Sequence, residues 1–109
     1  MLDLSPQHIA QLERIAASGF AIVAFPLYAQ AVGIRRSEFA ALLKPEPSGR
    51  FSFFGEAFVL IDSNPGVRIQ RSGQDVFVWK KKELPATPER LAALANFRRD
   101  LELLLVAAE

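Results

Sequence analysis

The sequence predicts an α+β fold: N-terminal helices, an antiparallel meander of three or four strands, and a long C-terminal helix packed on the sheet. Two observations carry this. Apolar residues recur at spacings of three and four near both ends, while the middle of the chain reads with period two or as continuous apolar runs. Both end segments also open on a hydroxyl residue followed by proline, Ser5-Pro6 and Thr87-Pro88. The hydroxyl caps a helix start, and proline fills the first turn where its missing N–H costs nothing.

In order along the chain, Ile9, Leu12, Ile15 and Ala16 mark one face of a helix over residues 6–18, and Gly19 is suited to end it. Phe20 to Phe25 is an unbroken apolar run closed by Pro26, read as a short buried strand with the start of a second helix as the alternative. Leu27 to Leu43 divides at Gly33 and predicts two short helices joined by a turn. Lys44 to Arg50, with two prolines flanking Glu46, is a loop.

Beyond the loop, Phe51–Phe54 and Ala57–Ile61 are strand candidates separated by Gly55-Glu56. Asn64-Pro65-Gly66 fits a type II turn, Val67 to Arg71 alternates, and Ser72-Gly73-Gln74 turns the chain into the strand Val76–Trp79. The last helix starts at Thr87-Pro88 and carries Leu91, Leu94, Phe97, Leu101, Leu104 and Ala108 as one stripe. About twenty helical residues span about 30 Å, enough to outrun a domain of this size.

Composition bounds the function. A chain of 109 residues, 50% of them hydrophobic and with 9 Phe, is expected to form a single domain over residues 1–109 with a Phe-rich core. Thirteen Lys and Arg against twelve Asp and Glu leave no global field to draw it onto nucleic acid or anionic lipid. The absence of cysteine excludes disulfides, thiolate catalysis and Cys-ligated zinc, and with no export signal after Asp3 it points to a cytoplasmic protein. Gly19 to Ile34, the most apolar stretch, is too short for a membrane span and is interrupted by Pro26 and Gln30.

Candidate chemistry is sparse. His8, the single histidine, reads as a solvent-facing helix residue, and the glycines never cluster into a phosphate-binding loop. Glu56, Asp62 and Asp75 fall near strand ends, where a shared cleft would make an acid/base pair. No catalytic, cofactor or metal residues are assigned.

Two local patterns suggest partners. Between Tyr28 and Leu42, a small residue (Ala29) stands four before Gly33, Val32 and Ile34 flank that glycine, and Phe39 and Leu42 follow at helical spacing. This segment resembles the helix-turn-helix pattern of bacterial DNA-binding proteins, which implies that Arg35 and Arg36 face the major groove and that the strands after them form a wing. The second pattern is a net charge of +4 over residues 67–82, from Arg68, Arg71, Lys80, Lys81 and Lys82 against Asp75. Lysines at a strand end also guard against aggregation.

The expectation that follows is a non-enzymatic interaction domain that self-associates as a homo-oligomer, through an apolar surface on Leu101, Leu103, Leu104, Leu105 and Val106. The alternative is a winged-helix-like DNA-binding protein. It would use Ala29 to Leu42 as its helix-turn-helix and Arg35, Arg36, Arg68, Arg71, Lys80 and Lys82 as nucleic-acid or acidic-partner contacts.

Overall fold

The computed structural model describes residues 4–25 and 28–106. Pro26 and Leu27, expected at a strand end and a helix start, and Ala108 lie outside them, as does the side chain of Val106. The chain is α+β, with a helix at each end and antiparallel strands between. Helix α1 spans Pro6–Ala17, and α2 spans Pro88–Val106. Both start where the hydroxyl-proline pairs predict.

The strands are β1 Ala21–Val23, β2 Val32–Arg36, β3 Phe39–Pro45, β4 Phe51–Phe53, β5 Phe58–Ile61, β6 Asn64–Pro65, β7 Val67–Arg71, β8 Gln74–Trp79 and β9 Lys82–Pro85. Strands β1 to β6 make one sheet in the order β1-β2-β3-β5-β6, and β4 pairs β3 beside β5. β3 is the hub: its first residues pair Phe58 and Val59, and its last pair Phe51 to Phe53. Strands β7, β8 and β9 form a separate three-stranded meander; of the strands expected to make one meander, only Val67–Arg71 and Val76–Trp79 pair there, with β9 as an unexpected third, while β4 and β5 join the large sheet.

The two short helices expected between Leu27 and Leu43 do not form over the described residues 28–43. The chain there is the β2–β3 hairpin, in register from Val32 opposite Leu43 to Arg36 opposite Phe39, so the helix-turn-helix is absent. The reason is burial. Residues 32–34 and 39–43 are buried on both faces of a central strand pair, and a strand covered on both sides shows no alternation in its sequence. The expected Asn64-Pro65-Gly66 turn is also displaced: the chain reverses at Asp62-Ser63, and Asn64-Pro65 pairs Ile61 and Leu60. Asp62 and Ser63 both take positive φ, 51° and 66°, the pattern of a type I′ hairpin turn.

Both helices cover one face of the large sheet. Ile15 from α1, Phe20, and Phe97, Leu101 and Leu105 from α2 pack with Val32, Ile34, Phe39, Ala41, Leu43, Val59 and Ile61, and the cluster takes in Phe77 of the meander. Phe97 sits between Phe20 and Phe39, with ring centroids 5.8 and 6.2 Å away. α2 therefore stays on the core into its last turn and does not outrun it. Gln11, itself buried, donates from Nε2 to the Leu105 carbonyl at 3.4 Å, satisfying an acceptor that the end of a helix leaves open.

His8 is 4% exposed, which corrects its reading as a solvent-facing residue. The Ser5 backbone N–H donates to its Nδ1 at 3.0 Å, so the ring proton sits on Nε2. Nε2 points at the Glu46 and Arg50 carbonyls, at 2.9 and 3.1 Å, tying the start of α1 to the β3–β4 loop. Histidine here occupies the place that Glu or Gln takes in an ordinary capping box.

Candidate functional site

The cations chosen from the sequence do not assemble into one surface. Successive residues of β2 alternate, so Arg35 and Arg36 point to opposite faces of the sheet. Arg36 lies under α2: it pairs with Asp100 at 2.9 Å, and its guanidinium sits 4.8 Å from the Phe20 ring centre and 5.7 Å from that of Phe97. It fastens helix to sheet. Arg35 donates from Nε to the Ser37 carbonyl of its own hairpin turn at 3.0 Å.

In the meander, Arg68 pairs with Asp75 at 2.5 Å, Arg71 with Glu83 at 2.8 Å, and Lys82 with Asp62. Lys80 lies over the Trp79 ring at 5.7 Å in the turn to β9. The +4 count missed Asp62 and Glu83, which flank the segment and are brought back to it by the fold. Those pairs offset Arg68, Arg71 and Lys82, while Lys80 and Lys81 stay exposed in the β8–β9 turn and are ion-paired to no described carboxylate.

The leucine set divides in the same way. Leu101 and Leu105 are buried in the chain's own core, so neither is available to a partner, and Leu104 packs partly against it. Leu103, at 61% exposed, faces outward. Glu56 lines a cleft with Arg68 and Arg98 against α2, Asp75 lines another beside Thr87, and Asp62 pairs with Lys82, so neither of these clefts is lined by two of the three. Among the described residues no group of three or more His, Asp or Glu is placed to hold a metal ion. None of the described helices is long and apolar enough to cross a membrane.

Two surfaces missed by sequence reasoning stand out. The first is the sheet face that carries no helix. Register places Ala21, Arg35, Ala40 and Phe58 in one row across that face, and Val23, Gly33 and Leu42 in the next. Phe54 extends the second row, since its N–H donates to the Leu42 carbonyl at 2.8 Å. Ala40, Leu42 and Leu60 are buried yet stand apart from the helix-side cluster. Aromatic rings contribute their cover: Phe25 meets Phe58 edge-on at 5.7 Å, and Tyr28 meets Phe54 at 6.4 Å. Phe25 presses on Gly33, where an added Cβ would fall 2.5 Å from its ring and 2.7 Å from the Val23 carbonyl oxygen. Gly33, the apparent turn glycine of a helix pair, is thus the hollow that receives Phe25.

The second surface is a sheet edge. An edge strand offers unpaired backbone groups to any other strand, and proteins blunt that with charge, proline or brevity. β6 ends on Pro65, β7 carries Arg68 and Arg71, and β9 carries Lys82, Glu83 and Pro85. β1 reads Ala21-Ile22-Val23 with no charged residue and no proline. Ile22, opposite Ile34 on the helix side of the sheet, is 44% exposed. The Phe20–Phe25 run signalled the strand; only the strand order shows that it lies at an edge. No known family, curated protein or solved structure matches the chain.

Proposed function

We propose that this chain is a small non-enzymatic interaction domain that self-associates, pairing β1 with β1 of a second copy. The observation that carries the proposal is β1 itself, an edge strand with neither charge nor proline and with Ile22 44% exposed; β4, Phe51-Ser52-Phe53, also pairs one strand and lacks charge and proline, but none of its residues is exposed. An antiparallel pairing about Ile22 joins two sheets through backbone hydrogen bonds and covers its exposed side chain with the same residue of the second copy. The absence of charge suits a symmetric contact, since any charge at the axis would meet itself. Carboxylates dispersed among ion pairs and separate clefts support the non-enzymatic part.

Sedimentation velocity at micromolar concentration tests this. A dimer is expected for the natural sequence, and a monomer with unchanged far-UV circular dichroism for Ile22→Lys. A natural chain that sediments as a monomer, or an Ile22→Lys variant that remains dimeric, overturns the proposal.

A further inference from the structure

Between α1 and the β3–β4 loop lies an open cleft of about 540 Å³ that takes in no residue of β1 and so stands apart from β1 pairing. Gln7, Gln11 and Arg14 recur at spacings of four and three along one face of α1 and make the first wall. Ser48, Gly49 and Arg50 make the second. Gly49 takes a φ of +91°, and a Cβ there would strike the Gln7 amide, so its lack of a side chain lets the loop close directly on the helix.

The cleft borders an unmet acceptor. Gln11 lines it yet is 2% exposed, and its Nε2 donates to the Leu105 carbonyl. That bond fixes which way the amide faces, because turning it over would set oxygen against oxygen. Oε1 is left buried with no hydrogen-bond partner. Buried acceptors are normally satisfied, so this one calls for an N–H or O–H that the described chain does not supply.

Charge supplies the rest of the description. Arg14 makes no ion pair among the described residues, and none of the described residues lining the cleft is Asp or Glu. Arg50, on the facing wall, has a contact of its own, so Arg14 is the cation that matters here. Its charge favours an anion and opposes an ammonium group, and its planar fork matches the two oxygens of a carboxylate. Arg14 follows Gln11 by three residues, about one helical turn, which sets the ligand's donor within a few bonds of its carboxylate. Because Oε1 is recessed, that donor must be slim: a hydroxyl projects from its carbon, whereas the N–H of an acylated amine is flanked on both sides.

We infer that this cleft binds a small 2-hydroxycarboxylate, with the carboxylate on Arg14 and the hydroxyl donating to Gln11 Oε1. The volume falls within the range of small-molecule sites. Sulfate brings the charge without the proton, and a 2-oxo acid brings an acceptor where a donor is needed.

Calorimetric titration of the natural protein tests this with lactate and malate against propionate, succinate, pyruvate, alanine, N-acetylalanine and sulfate. At least one of the two hydroxy acids is expected to bind about tenfold or more tighter than its deoxy, oxo and amino counterparts, and to move amide resonances of residues 7–14 and 48–50. Arg14→Gln should weaken that binding about tenfold or more, and Gln11→Met should erase the preference for the hydroxyl. If Gln11→Met fails to fold by circular dichroism, the matched ligands and Arg14→Gln, a change at an exposed residue, still decide. No binding up to about 10 mM, deoxy or oxo acids that bind equally well, resonance changes elsewhere, or indifference to Arg14→Gln overturns the inference. Sulfate binding as tightly marks an unselective anion contact, and N-acetylalanine binding more tightly assigns the acceptor to an amide; either overturns it.

Discussion

In the six-stranded sheet, β3 is buried on both faces from Phe39 to Leu43; in the β7–β9 meander, Phe77 is the one buried residue. One face of the meander meets the core through Phe77, with Trp79 and Leu84 packed partly against it. On the other face, Arg71 of β7 reaches Glu83 of β9 across the central strand, over the face that carries Val76 and Val78. The large sheet is held by apolar burial, and the meander by a single ring with ion pairs around it. Exposed pairs are worth little, so stability belongs mainly to the large sheet and its helices.

Substitutions on either side test that division. Phe97→Ala, at the centre of the helix-side core, should cost about 3–5 kcal/mol in urea unfolding. A loss below about 1 kcal/mol would break the comparison. Gly33→Ala forces a methyl group against Phe25 and the Val23 carbonyl, and should cost about 1–3 kcal/mol in the same assay. Adding Phe25→Ala should restore only part, because the backbone oxygen remains in the way.

His8→Ala removes the donor to two carbonyls and the acceptor for Ser5, with an expected loss of about 1–3 kcal/mol and faster hydrogen exchange in α1's first turn. Arg71→Ala should cost only about 0.2–1 kcal/mol, and a double-mutant cycle with Glu83→Ala should return a coupling of similar size that shrinks with salt. A coupling as large as the Phe97 effect would place the meander's ion pairs among the main determinants of stability.

The same contrast explains what the sequence disclosed. The helices were legible because their caps are local, β7 because Val67 and Ile69 alternate with Arg68 and Gln70, and β8 because Val76 to Trp79 is an apolar run, although register sets Val67 and Ile69 on the face away from Phe77. The β2–β3 pair was hidden by burial on both faces and by a Ser37-Glu38 turn lacking the Asn-Gly signal. The small residues that gave it a helix-turn-helix appearance include Gly33, which lies beneath Phe25. β9 offers Leu84 as its one inward apolar residue and was missed.

Neither candidate surface was visible in advance, for different reasons. β1 is an edge only because β2 took the inner position. The Tyr28–Phe54 contact on the helix-free face joins residues separated by three strands, a proximity no local pattern encodes. The charges misled because Asp62 pairs with Lys82 twenty positions away, beyond any window in which the patch was counted.

The short hairpin turns also shape the route by which this molecule assembles. Residues 37–38, 62–63, 72–73 and 80–81 each join paired strands directly, so those registers are set by closing very small loops. Hairpins of this kind form in about 1–10 μs. The bond from Gln11 to Leu105 instead spans 94 positions and requires both helices to have found the sheet. Refolding is expected to build strand signal early and α1–α2 protection last, so the rate-limiting step lies in docking the ends of the chain, with little to do with strand order.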